Sequence, residues 1–183
     1  EVLSLILEQI QKLIPIDSAA IFLQEKDGLH VVMDQGINPS VMEQVFPGKS
    51  PLFQEIKEKQ KPLVLKNAQD DPRFQTWGYQ GKIQSWLGIP LIVNNELLGY
   101  MTLDNNQPDV YDSNDVELAQ SFAVQAAQAI RNARLYKETQ QLATFNKNIV
   151  ESMFEGIALE NDKGFFTFVN PAAAKLLGYT PEE

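Results

Sequence analysis

Tyr100, Thr102 and Asp104 stand at alternate positions in LGYMTLDN (Leu98–Asn105), and Ser85 opens the run SWLGIPL (Ser85–Leu91). In a strand, that spacing puts two hydroxyls and a carboxylate on one face. The chemistry open to such a set is hydrogen bonding to a small ligand. Catalysis has little support, because no nucleophile–base pair or metal set is visible in the sequence. Cys is absent and histidine occurs once, at His30. The lack of Cys removes disulfides, thiol catalysis, Cys–zinc sites and thioether-linked cofactors together. Haem ligation through His30 competes with the plainer reading of a satisfied or exposed strand histidine.

The element that must position these groups is a β-hairpin over Gln84–Asn105. Its turn is Asn94-Asn95, a two-residue loop at positive φ, where Asn is tolerated. Counting outward from that turn sets Pro90 opposite Gly99, Gly88 opposite Met101 and Trp86 opposite Leu103. One face then holds Trp86, Gly88, Pro90, Ile92, Leu97, Gly99, Met101 and Leu103, all apolar save the indole N–H. The other holds Ser85, Leu87, Ile89, Leu91, Leu98, Tyr100, Thr102 and Asp104. A slip of one residue would exchange the faces, so the register should be strongly specified. This register assigns Trp86 to the core.

Asn67–Lys82 is the least regular part of this half and mixes Asp70, Asp71 and Arg73 with Phe74, Trp77 and Tyr79. Phe74, Trp77 and Tyr79 either close the ligand site or form a small satellite core. Arg73 either meets an anionic ligand or lies exposed beside Asp70 and Asp71.

The remaining elements follow from periodicity and punctuation. Leu3, Leu7, Ile10 and Ile14 mark a helix over Val2–Ile14, with an apolar stripe wide enough to pack on a domain and on a partner helix. Ser18–Gln24 and Leu29–Met33 read as two strands joined at Lys26-Asp27-Gly28. A short helix is expected over Val41–Val45, another from Ser50-Pro51 to about Lys59, and a short strand at Pro62–Lys66. Asp112 or Ser113 starts a long helix in which neither Pro nor Gly recurs until Gly156. Leu135, Leu142 and Ile149 recur every seven residues along it, which predicts pairing with a second copy. Leu3, Leu7, Ile10, Leu135 and Leu142 are the expected dimer interface. From Gly156 a second hairpin and a short helix follow, ending at Gly178.

The chain has 183 residues and a formal net charge of −9. That length suits one domain and part of another. The acidic balance disfavours nucleic acid and anionic membrane surfaces as partners. No apolar run is long enough to span a bilayer, and no signal-peptide pattern is present, so a cytoplasmic location is the expectation. The start without Met, inside a helix, suggests a piece of a longer polypeptide.

The order of elements, with SWLGIPL, LGYMTLDN and Tyr111-Asp112-Ser113-Asn114-Asp115, resembles a GAF domain over residues 1–137. The tail resembles the start of a PAS domain over residues 153–183, through Gly156-Ile157-Ala158, Asp162-Lys163-Gly164 and Phe168-Val169-Asn170-Pro171-Ala172-Ala173. Residues 138–152 would be the connecting signalling helix. The resemblance implies an α+β fold, layered α/β/α. Its central antiparallel sheet would carry the terminal helices on one face and a small-molecule pocket on the other. Gly88 and Gly99 would let a helix approach the apolar face. It also implies a sensory input module, not an enzyme, of the kind found with histidine kinases and other two-component signalling proteins. Its output domain would lie elsewhere in the polypeptide. The alternative is a ligand-free dimerisation module. Ser85, Tyr100, Thr102, Asp104, Phe74, Trp77 and Tyr79 are the candidate ligand contacts, for a small molecule not identified.

Several family chemistries fit poorly. Cyclic-nucleotide-binding GAF domains often carry an Asn-Lys, Phe, Asp-Glu signature. The matching positions here are Asp104, Asn105, Tyr111, Asp115 and Val116, of which Asp115 alone agrees, so the family's Lys–Asp pair cannot form. Covalent bilin attachment and methionine-sulfoxide reduction both need Cys and are excluded.

Overall fold

A computed structural model of the protein describes residues 2–37, 42–76 and 82–178. The chain divides into two compact units, Glu1–Arg131 and Asn132–Glu183. The first contains α1 (Val2–Leu13), β1 (Ser18–Gln24), β2 (Leu29–Gln35), β3 (Val45–Phe46), α2 (Pro51–Lys59), β4 (Leu63–Leu65), β5 (Ser85–Val93) and β6 (Glu96–Asn105). It also holds the start of α3 (Ser113–Ser152), which continues into the second unit with β7 (Ala158–Glu160), β8 (Phe166–Val169) and α4 (Pro171–Leu177). No described helix is long and apolar enough to cross a membrane.

The six strands of the first unit form one sheet in the order β3-β2-β1-β6-β5-β4, with every pairing antiparallel. Its fold is α+β. β1 reads SAAIFLQ, apolar nearly throughout, because both its faces are covered. Ala19, Ile21 and Leu23 enter one core cluster, while Ala20 and Phe22 enter the other. The first cluster includes Ile6, Leu7 and Ile10 of α1 and Ala119, Ala123, Ala126, Ala127 and Ile130 of α3. The alanines keep α3 thin where it meets the sheet. The second cluster packs Leu52, Phe53 and Ile56 of α2 against Phe22, Trp86 and Tyr100.

This packing divides the apolar stripe of α1. Leu7 and Ile10 are buried in the core of their own unit, and Leu3 packs against the same cluster. They do not form an outward seam as their spacing suggested. The apolar residues that α1 turns outward are Val2, Leu5 and Leu13. A four-three-four spacing marks a buried stripe without saying whether the covering surface belongs to the same chain.

The hairpin departs from its expected register. Asn94 and Asn95 have φ of 50° and 63°, as a type I′ turn requires, and Val93 pairs Glu96 and Ile92 pairs Leu97. The next pair is Leu91 with Gly99, so Leu98 is an extra residue, a β-bulge. Beyond it every pairing moves by one: Pro90 meets Tyr100, Gly88 meets Thr102 and Trp86 meets Asp104. The pairs Pro90–Gly99, Gly88–Met101 and Trp86–Leu103 are therefore incorrect. Trp86, Gly88 and Pro90 share a face with Tyr100, Thr102 and Asp104. Leu87, Ile89 and Leu91 join Met101 and Leu103 in the helix-side core.

The two glycines are crowded by different neighbours from those expected. A Cβ at Gly88 would collide with the Trp86 indole and lie 2.6 Å from Ile56 Cδ1. A Cβ at Gly99 would strike the Phe22 carbonyl and lie 2.9 Å from Leu23 Cα, both on β1. Neither glycine admits a terminal helix. Gly99 allows the close approach of a neighbouring strand beside the bulge.

In the second unit, the Asn170 side chain joins several segments. Its Nδ2 donates to the carbonyls of Val150 at 3.1 Å and Glu155 at 2.9 Å. Its Oδ1 accepts from the backbone N–H groups of Ile157 at 2.8 Å and Ala173 at 2.9 Å. The last bond caps α4, and Pro171 follows at its first turn.

Gly99→Ala should destabilise the first unit by about 1–3 kcal/mol, because the obstructing atoms are backbone and cannot rotate away. Urea unfolding would measure this; an unchanged midpoint would contradict the close strand contact.

Candidate functional site

The bulge brings one aromatic group and one acidic group together on the sheet. Trp86 of β5 lies across from Asp104 of β6, with Thr102 and Tyr100 next along the same face. Phe22 of β1 pairs with Tyr100, and their rings stack with centroids 4.8 Å apart. Phe53 of α2 abuts Tyr100 from the other layer at 5.2 Å. Phe74 meets Trp86 edge to face at 6.3 Å. Phe22, Phe74, Trp86, Tyr100, Thr102 and Asp104, with Ser50, Leu52, Arg73 and Gln75, line a cavity of about 30 Å³.

Asp104 is 4 % exposed. Its Oδ2 accepts a hydrogen bond from Ser18 Oγ at 2.9 Å. Its Oδ1 is buried without a partner. Burial raises the carboxyl to about 7, against the smaller opposing effect of the Ser18 hydroxyl. Burial and the Asp104 charge raise the Tyr100 hydroxyl as well. Tyr111 belongs to the helix-side core, and its buried hydroxyl also has no partner. Burial raises it first, followed by the charges of Asp104, Asp17 and Asp115.

Arg73 lines the same cavity, but its charge is already committed. Nε and Nη2 grip Asp71 at 2.9 and 2.6 Å, and Nη1 reaches Glu55 of α2 at 2.6 Å. These bonds hold both carboxyls below their usual range; Lys59 contributes first at Glu55. Arg73 lies beside Asp71 with its side chain 40 % exposed, and its second bond makes it a clamp fastening the segment after β4 onto α2. One guanidinium facing two carboxylates leaves little positive potential for an anionic ligand.

Tyr100, Thr102, Asp104 and Phe74 line the cavity together. Ser85 does not share their face. Its Oγ donates to the Gln107 carbonyl at 2.7 Å and accepts from the Val110 N–H at 3.0 Å, fastening the loop after β6. The bulge explains this difference, since it reverses the facing of β5. Trp77 and Tyr79 lie outside the described residues. Trp86, which the unbulged register sent to the core under the helices, lines the cavity instead. One sequence signal could have found it: in Trp86-Leu87-Gly88, a bulky ring needs the missing side chain two positions on. His30 of β2 is not among the lining residues and bonds Asp27 of the preceding turn at 2.8 Å. Among the described residues, no cluster of three His, Cys, Asp or Glu could hold a metal ion.

Residues 1–130 match the family model of the GAF domain. The chain belongs to the GAF domain family. Residues 144–183 match a PAS domain model. The GAF domain of a two-component sensor histidine kinase from Bacillus halodurans superposes with a TM-score of 0.62 at 18 % identity, over 74 % of this chain and 95 % of that one. The GAF domain of a phosphoenolpyruvate-protein phosphotransferase from Coxiella burnetii gives 0.65 at 20 % identity, over 73 % and 82 %. Among curated proteins, the anaerobic nitric oxide reductase transcription regulator NorR of Shigella flexneri is 39 % identical over 57 residues. That match covers 31 % of this chain and 11 % of the regulator's length. The GAF unit is thus similar to domains of sensory and regulatory proteins.

The positions of the cyclic-nucleotide signature serve the loop instead. Asn105 donates to the Pro15 carbonyl at 3.0 Å and accepts from the Gln107 N–H at 2.9 Å. The Asp115 carboxylate accepts from the Asp112 N–H at 3.1 Å.

Asp104 makes stability depend on pH with a definite sign. Its folded value lies above the unfolded one, so its favourable contribution is complete below about 4 and is lost as pH rises through about 7. Asp104→Asn keeps an acceptor for Ser18 and removes the charge. Relative to wild type, it should gain about 1–3 kcal/mol between pH 4 and pH 8, the scale of an unsatisfied buried polar group. Thermal melts across that range would test this; parallel curves for the two proteins would refute it.

Proposed function

We propose that this chain is the sensory input segment of a multidomain signalling protein. In this reading the GAF unit binds a small ligand in the cavity beneath Arg73–Gln75. The response passes through α3, paired with its copy in a homodimer, to a downstream output domain. Cytoplasmic placement accords with that role.

The observation that carries this reading is the single layer separating cavity from helix. Trp86, Tyr100, Thr102 and Asp104 line one side of the β5–β6 ladder, and their sequence neighbours Leu87, Met101 and Leu103 enter the cluster containing the α3 alanines. A shift of either strand therefore acts on both sides. α3 then runs unbroken from Ser113 to Ser152. Leu135 and Leu142, one heptad apart, are 47 % and 60 % exposed. Within the expected interface, they are the residues left outward for a partner helix. Coupling requires that the ligand bind two helix arrangements with different affinity.

A ligand-free dimerisation module is the second reading. It is favoured by the cavity volume of about 30 Å³, roughly one water molecule's share of liquid. Two measurements separate the readings. A ligand at a hundred times its Kd should raise stability by about 2.7 kcal/mol. Thermal-shift screening with metabolites and nucleotides would detect it, while no stabilisation by any compound would favour the second reading. Both readings expect Leu135→Glu/Leu142→Glu to halve the sedimenting mass; an unaltered mass would remove α3 pairing from either.

A further inference from the structure

We propose that the cavity recognises a primary ammonium group, with Asp104 Oδ1 accepting its N–H and the surrounding rings facing its charge. This rests on the reading of the GAF cavity as a ligand site.

The argument begins with the incomplete bonding of Asp104. Asp104 lines the cavity; Ser18 satisfies one of its carboxylate oxygens, and the other is buried and unpartnered. A buried acceptor of this kind calls for a donor. A cationic donor adds a charge interaction, strengthened where water is excluded. The walls point to the same chemistry. Phe22, Tyr100, Phe74 and Trp86 line the space beside the carboxylate, and aromatic faces attract cations.

Charge excludes the opposite ligand type. Arg73, the cation in the lining, is consumed by Asp71 and Glu55, and an anion would also meet Asp104. Size sets the depth of entry. A volume of about 30 Å³ admits a head group rather than a whole metabolite. The rest of the ligand would extend toward Phe74 and Gln75, where the lining becomes exposed. A quaternary ammonium would satisfy the rings but has no N–H for Oδ1, which separates two otherwise similar classes of cation.

The test titrates the full chain at pH 8 with propylammonium, tetramethylammonium, propanol and propionate. The readout is the Trp86 indole signal in ¹H–¹⁵N spectra, identified with Trp77→Phe. Propylammonium should give a saturable shift, with tetramethylammonium, propanol and propionate each at least tenfold weaker. Asp104→Asn, shown to be folded by circular dichroism, should weaken propylammonium binding at least tenfold. The proposal is overturned by no saturable propylammonium shift, by equal binding of tetramethylammonium, or by unchanged affinity in Asp104→Asn. The ligand-sensing reading survives those outcomes if another compound in the thermal-shift screen stabilises the chain. It fails with them if none does.

Discussion

Leu98 has no single partner on β5, and the layout of the GAF unit depends on that extra residue. Near the turn the strands pair as two Asn residues at positive φ dictate. Past Leu98 the pairing shifts by one, which turns Leu87, Ile89 and Leu91 toward the terminal helices. The same shift turns Trp86 toward Asp104. Without the bulge, the turn and the two cores would demand incompatible facings of β5. Gly99 follows immediately and lets β1 close against the altered strand. The bulge thus reconciles a local turn preference with burial on both sides of the sheet.

Electrostatics then distinguishes two acidic environments around the cavity. Asp71 and Glu55 share Arg73 at the periphery, where the bonded network fastens the segment after β4 to α2. Asp104, deeper in the sheet, has only a serine hydroxyl at one oxygen. The first arrangement favours charged carboxylates. The second resists charge until another group compensates it. A carboxyl brought near neutrality by burial can respond to small changes in its surroundings, whereas the outer pair remains fixed.

Much of this organisation was legible in the residues. The residues of Ser18–Gln24 marked a strand, and Asn94-Asn95 marked the hairpin turn. Tyr100, Thr102 and Asp104 share a face because alternation holds within one strand whatever its partner does. The relation between two strands was less accessible. No periodicity reports a bulge, so counting from the turn alone puts Trp86 and Ser85 on the wrong sides. α1 shows a similar gap. The spacing of Leu3, Leu7 and Ile10 identifies a buried stripe, but only the tertiary contacts assign that burial to the same chain.

Asn170 gives the far end of α3 a mechanical property. Its amide has spent both donors and both acceptor directions on backbone groups from the last turn of α3, the link that leads to β7, and α4. No capacity is left over to act as a slipping joint. Torque applied to the final turn of the helix must either be delivered to the hairpin or break a bond within this joint. One buried amide thus knots the end of a long helix to the start of the next fold, and its loss would free three segments at once.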